Sequence, residues 1–336
     1  MSRPLISRIL SKYGVAGGTI SAPQSGYRNQ IYRVQTANDE ELCVILYKNE
    51  PHIARQVLIA NELADGLAAV GFPARRTFDE RLTLLKSATG TRYAGIYHYL
   101  PGQTIPWEAY TQDHIKALGK TMSDMHHLAT GLHLTRRLDD VVEIQKSIVG
   151  KMQQYFLDRD VHRAMHDKLG LAVPESSLTS LATGLAAADL LGDRQALHMD
   201  FVRGNVLFRE AADDDLSVAV TGVLDFEKCA YGPVIFDIAR TLAFLLIDCK
   251  YKTPRQVRKY FLRSGYGKRG TNRLSLPRIN QGSQDIDVLE LLVDHFLLHD
   301  FYKFLRHNPY ESLAKNEHFG RTRELLIERK IIELDR

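Results

Sequence analysis

The 336-residue chain has only three cysteines, Cys43, Cys229 and Cys249, and they show no CxxC or Cys/His spacing. That excludes a disulfide framework and a zinc site as organising features. Each thiol is expected as a small buried hydrophobe in a reducing compartment. Long hydrophobic runs are also missing. Met1 to Tyr13 contains no apolar stretch of signal-peptide length. The most hydrophobic window, Ile235 to Ile247, is broken by Asp237 and Arg240 and is too short to span a bilayer. A cytoplasmic protein without membrane association is the expectation. There is no fixed-period repeat and no low-complexity segment. Acidic residues are absent from Cys249 to Gln284, where ten basic residues run from Lys250 to Arg278. The net charge of 44 − 40 = +4 says little about partners. The stretch reads as a solvated surface or as an attractor for an acidic substrate, and nucleic acid is disfavoured because its aromatic residues suit inward packing.

What is present is ordinary for a globular chain: 44% hydrophobic and 25% charged residues, enough to bury a core without staples. Gln30 to Gln35 and Leu42 to Tyr47 read as strands around a polar turn. Pro51 opens a helix whose Ile53, Val57, Leu58, Leu63 and Leu67 can share one face, and Gly71-Phe72-Pro73 stops it. Leu82 to Leu85 and Arg92 to Tyr99 read as two more strands. After Pro101-Gly102 the pattern turns helical, over Gln112 to Leu128, Val141 to Leu157, Ser177 to Leu191, Ile235 to Cys249 and Val288 to Leu305. A β-rich island, Asn205 to Phe208 with Val218 to Leu224, interrupts it. The expectation is an α+β, bilobal protein, with a small β-rich lobe over residues 1–100, a larger helical lobe over 101–336, and a cleft between them.

The chemistry concentrates in His198-Met199-Asp200-Phe201-Val202-Arg203-Gly204-Asn205, with Gly222-Val223-Leu224-Asp225-Phe226-Glu227 following. Phosphoryl transfer needs an oriented nucleophile and a metal shared between phosphates and a few oxygen ligands. Asp200 can accept a hydroxyl proton, Asn205 can offer a neutral oxygen to Mg²⁺, and Asp225 can supply the charged ligand that Mg²⁺ prefers. His198 reads as a brace for the loop.

At these residues the chain resembles the superfamily of aminoglycoside phosphotransferases, choline kinases and type II homoserine kinases, over roughly Gly17 to Leu246. The resemblance implies a protein-kinase-like fold, with ATP and Mg²⁺ as the phosphoryl donor and its metal. It also implies Asp200 as catalytic base, Asn205 and Asp225 as metal ligands, Asp237 as anchor of the catalytic loop, and Arg203 as the arginine three residues past the base. Ser25, Gly26 and Arg28 match a hairpin covering the phosphates, where backbone N–H groups approach closely. His98 and Leu100 match the hinge that receives adenine, and Glu62 matches the helix glutamate of a lysine–glutamate pair. The acceptor implied is a hydroxyl on a small molecule, by closest analogy an amino alcohol or a homoserine-like compound. A protein kinase is the enzymatic runner-up; against it, no A-P-E element or activation-loop-length segment lies between Asp225 and Gly232-Pro233. A catalytically silent nucleotide-binding or scaffold module of the same fold is the rival.

One expected cation is missing. If Cys43 is the small residue over adenine, the cationic position two residues on is Ile45; if Lys48 is the cation, Leu46 must cover adenine. The first register is favoured because Tyr47 then points inward with Ile45. Type II homoserine kinases resemble the chain here too, with an uncharged residue in this strand. Arg28, Arg33 and Lys86 are the candidates to supply the charge.

Overall fold

The computed structural model describes residues 3–15, 18–22, 24–25, 29–87, 90–209, 218–269, 278–281 and 284–334. The chain divides into two compact units. The first joins Met1–Thr104 to Gly131–Arg137 and Asn205–Lys228; the second comprises Ile105–Thr130, Leu138–Gly204 and Cys229–Arg336.

In the first unit, six strands form one antiparallel sheet: β1 (Thr19–Ile20), β2 (Gln24–Ser25), β3 (Gln30–Gln35), β4 (Glu41–Leu46), β5 (Thr83–Ser87) and β6 (Gly90–His98). The order is β1-β3-β4-β6-β5, with β2 also paired to β3. The central β4 is apolar on both faces because both are covered. Leu42, Val44 and Leu46 pack on Ile6, Ile9 and Leu10 of α1 (Arg3–Lys12). Cys43, Ile45 and Tyr47 pack on Ile53 and Val57 of α2 (Ile53–Ala69). The helix stops at Gly71, whose φ of +89° suits a residue without a Cβ.

This unit extends past residue 100 for a physical reason. Val206–Phe208 and Val220–Val223 pair as an antiparallel ladder, and that ladder is tied to the chain leaving β6. Gln103 and Phe208 exchange backbone hydrogen bonds of 3.0 and 2.9 Å. The Thr221 hydroxyl donates to Pro101 O at 2.7 Å. Gly102 lies between them at φ +127°, and a Cβ there would meet Thr221 Oγ1 at 2.3 Å.

The second unit is helical: α3 (Gln112–Ala129), α4 (Val141–Phe156), α5 (Arg159–Leu169), α6 (Glu175–Asp189), α7 (Ile235–Asp248), α8 (Pro254–Arg258), α9 (Val288–His307), α10 (Tyr310–Leu313) and α11 (Glu317–Glu328). A π-helical turn, Lys259–Gly265, packs so closely on α3 that a Cβ at Gly119 would meet Phe261 O at 2.4 Å. A short antiparallel ladder, Arg194–Leu197 with Ala230–Pro233, leads into the catalytic loop on one strand and into α7 on the other. Nearly every residue of α7 is buried, Asp237 and Arg240 included. Among the described residues, no helix is long and apolar enough to cross a membrane. Cys43 and Cys249 are buried and Cys229 is half-buried, all three as free thiols.

Candidate active site

In the second unit the loop that begins at His198 is built around the Asp237 carboxylate. Placed in the first turn of α7, it accepts from the His198 N–H at 2.8 Å and the Met199 N–H at 2.6 Å. Two backbone donors that leave the strand ladder are thereby satisfied without water. His126 Nε2 lies 3.1 Å from the same carboxylate, and its Nδ1 lies 2.8 Å from the Tyr266 hydroxyl. Burial pushes the Asp237 carboxyl up, yet the His126 hydrogen bond and the charges and backbone donors around it outweigh that and hold it below its ordinary value. Met199 adopts φ +58°, which costs an L-residue of order 1–3 kcal/mol and marks a functional turn. The turn presents Asp200. The Asp200 N–H donates to His198 Nδ1 at 3.1 Å, so His198, fully buried, braces the loop from inside. Arg240, one turn along α7 from Asp237, places Nη2 3.2 Å from Asp200 Oδ1. Arg203 reaches back to α7, its Nε 3.8 Å from Asp248 Oδ2.

In the first unit, strand pairing sets Val206 opposite Val223, and the Leu224 N–H donates to Asn205 O at 2.8 Å. Asn205 and Asp225 therefore flank the same end of one ladder. Asp225 turns at φ +61°, a second strained position on a motif aspartate's loop. Among the described residues, no group of three or more His, Cys, Asp or Glu could hold a metal unaided. One amide oxygen and one carboxylate fit Mg²⁺, which keeps waters and phosphate oxygens as its other ligands.

At the end of β6, the His98 N–H donates to Arg76 O at 3.0 Å and the Tyr99 N–H to Glu41 O at 3.0 Å. The backbone of Leu100 makes no hydrogen bond among the described residues. Of the two hinge residues, Leu100 thus has an amide to offer a base, while the His98 N–H is taken. The His98 ring lies 3.3 Å from Glu40. Ser25 ends β2, paired with Gln30, whereas Gly26 and Arg28 lie outside the described residues.

Ile45 shares its face with Cys43, Tyr47 and Tyr97 and is 1% exposed, while β4 ends at Leu46 and Lys48 is exposed. The face that carries a cation in the resembling kinases is therefore neutral. Tyr47 and Tyr97 are joined hydroxyl to hydroxyl, and the Tyr97 hydroxyl donates to Asn61 Oδ1 at 3.2 Å. Asn61, not Glu62, is the α2 residue facing these tyrosines. Glu62 accepts from the backbone and hydroxyl of Thr135 and from Arg136 at 3.0 Å. Burial pushes its carboxyl up, and these hydrogen bonds together outweigh that and hold it below its ordinary value. Of the candidate substitute cations, Arg33 pairs with Glu41 and stacks on Tyr99, Lys86 is exposed, and Arg28 is not described.

Sequence reasoning missed Arg240, His126 and Tyr266. A charged residue inside an apolar helical run, three positions after Asp237, was the available signal for Arg240. A hollow of about 630 Å³ in the second unit, lined by Phe156, His162, His166 and Glu175 among others, contains none of the motif residues.

Comparison with known proteins gives the fold and the family. A hydroxylysine kinase of Bos taurus is 26% identical over 209 residues, 57% of this chain and 52% of that protein, so the match spans about half the relative's length. Among solved structures, an amicoumacin kinase in complex with AMP-PNP, Ca²⁺ and Ami superposes with a TM-score of 0.65 at 13% identity, over 98% of this chain and 96% of that one. A microcompartment-associated aminopropanol kinase superposes with a TM-score of 0.62 at 15% identity, over 99% and 100%. These establish the α+β, kinase-like fold. The model of the phosphotransferase enzyme family matches residues 19–271, and the chain belongs to that family.

Proposed function

We propose that the protein is an ATP- and Mg²⁺-dependent kinase that transfers the γ-phosphoryl group to a hydroxyl of a small amino-bearing molecule. The observation that carries this reading is the buried Asp237 carboxylate, which holds the strained His198–Met199 turn so that Asp200 is presented on it. Nothing in packing alone requires a charged group to be buried under a strained turn, and such a combination is a mark of catalytic loops.

Asp200 takes the acceptor hydroxyl's proton as the oxygen attacks. Arg240 fixes the orientation of its carboxylate, and His198 fixes its backbone. Asn205 and Asp225 would hold the metal, which would supply positive charge to offset the negative charge developing on the phosphates. On this reading Leu100 and His98 border the adenine, and Ser25 lies toward the phosphates. Support for an amino-bearing acceptor comes from relatives described as hydroxylysine, aminopropanol and ethanolamine kinases.

The neutral face of Cys43, Ile45, Tyr47 and Tyr97 favours a second reading, a module that binds nucleotide without turnover. One experiment separates them: ADP release from MgATP across a panel of hydroxylated amines and amino acids. Acceptor-dependent release supports the kinase. Nucleotide binding with no release for any acceptor leaves the silent module.

A further inference from the structure

Among the described residues the inward face of β4 carries no cation of its own, yet an arginine from the segment after α2 lies over that face. Arg75 follows α2 and the turn at Gly71, and its N–H donates to Val223 O at 3.2 Å, two residues before Asp225. Its side chain is 12% exposed. The guanidinium carbon lies 4.3 Å from the centre of the Tyr97 ring, on the neutral face of Cys43, Ile45 and Tyr47. Among the described residues the guanidinium makes no hydrogen bond. Its nearest acid is Glu227 Oε1, 3.9 Å from Nη2, and Glu227 Oε2 is itself buried without a partner.

A guanidinium largely withdrawn from water, with one loose ion pair and no hydrogen bond among the described residues, keeps donors in hand for a ligand. Burial alone would weaken the proton's hold on Arg75. The polar groups of Tyr47, Tyr97 and Cys43, together with the Asp225 carboxylate, reverse this and strengthen it. The Asp225 charge is therefore felt at the guanidinium. A cation held over a flat ring, with a planar fork of donors on a segment bonded to the chain two residues before Asp225, suits the bidentate recognition of phosphate.

We infer that Arg75 is the phosphate-binding cation of this protein, supplied by the segment after α2 in place of the strand residue that is Ile45. In this arrangement the lysine–glutamate pair of the resembling kinases is replaced on the sheet by the neutral Tyr47–Tyr97–Asn61 chain. Arg75, loosely paired with Glu227, carries the positive charge instead. The inference rests on the nucleotide-binding reading above and deepens it.

Calorimetric titration of wild type, Arg75→Lys, Arg75→Gln and Arg75→Met with Mg-ADP and with adenosine tests it. Arg75→Met and Arg75→Gln are expected to lose on the order of tenfold or more in ADP affinity, the scale of hydrogen bonds to a charged group. Adenosine affinity should stay within twofold of wild type, and Arg75→Lys should recover part of the loss. Equal losses for ADP and adenosine, or no loss for either, overturn the inference. If Arg75→Met fails to fold, Arg75→Gln and Arg75→Lys give the same contrast. A wild-type protein that binds no Mg-ADP overturns the nucleotide reading itself, whatever the variants do.

Discussion

Arg240 Nη2 lies 3.2 Å from Asp200 Oδ1, and its guanidinium is held between Phe244 and Phe296 at 5.3 and 5.6 Å from their ring centres. A base gripped by an arginine on the helix that also carries Asp237 cannot rotate freely. Orientation is then set by α7, not by the loop alone. Asp200→Ala should lower turnover by roughly 10²-fold or more, the scale of a lost general base. Arg240→Lys keeps the charge but loses the planar fork, and should lower kcat on the order of tenfold through misplacement. Nucleotide affinity by calorimetry should stay within a few-fold in both. Wild-type kcat in Arg240→Lys would show that Asp200 is positioned without it.

A second prediction concerns the metal. Asp225→Asn exchanges a charged oxygen for a neutral one where Mg²⁺ prefers charge. The gain in nucleotide affinity on adding Mg²⁺ should largely disappear, while metal-free affinity is kept. Titration with and without Mg²⁺ reads this directly, and equal metal dependence in variant and wild type would contradict the assignment.

A third concerns the loop's foundation. Asp237 is fully buried and accepts from two backbone N–H groups and faces His126. Asp237→Ala should cost about 3 kcal/mol or more in denaturant unfolding, the scale for breaking a buried charged network. Its pH signature follows from the direction of its shift. The folded-state carboxyl is held below its ordinary value of 3.8, so its stabilisation is present above that pH and is lost as pH falls through the lower folded-state value. The wild type should therefore lose stability in that acid window more steeply than Asp237→Asn does. Parallel acid profiles would show that the carboxylate is not the ionised group drawn here.

Much of this was legible from sequence. The strand Gln30–Gln35 and the helices from Val141 and Ile235 begin where periodicity and turn residues place them. Asp237 and the ordered Asp200–Asn205–Asp225 series stood out because their spacing is local. Other parts depend on contacts distant in sequence. The Ile6, Ile9 and Leu10 face of α1 was in plain view, but only the sheet's far side explains it. Glu62 and Asn61 are neighbours, and which one faces Tyr97 depends on the roll of α2 over the sheet. Arg75 carries no local signal at all. Its place over Tyr97 comes from the hydrogen bond that fixes its backbone to Val223.

A fourth prediction follows from the strand register. Lys48 lies beyond the end of β4 and is exposed, while Ile45 occupies the inward face. Lys48→Ala should leave Mg-ADP affinity within twofold of wild type. A loss of about 1.5–3 kcal/mol, the scale for a hydrogen bond to a charged group, would place Lys48 on the phosphates and refute the neutral face.

The basic stretch from Lys250 to Arg278 gives the last prediction. Several of its cations are already engaged within the helical unit. Arg258 is ion-paired to Glu290, which also receives Arg329 at 2.8 Å, and Arg329 is in turn bonded to Asp294. Lys250 lies 3.2 Å from Glu317, and Lys252 donates to the Tyr110 carbonyl. Arg255 and Arg263, by contrast, are exposed. A partly buried network of four charges stabilises more than an isolated surface pair, because each ion is oriented by its neighbours. Arg258→Ala should therefore lower unfolding free energy by about 1 kcal/mol or more, with substrate KM changed little. The double change of Arg255 and Arg263 to Ala should leave stability and both KM values near wild type at low ionic strength, where a steering field would be strongest. A rise in acceptor KM confined to that double variant would move the stretch from scaffold to substrate attraction and give the acceptor a negative charge.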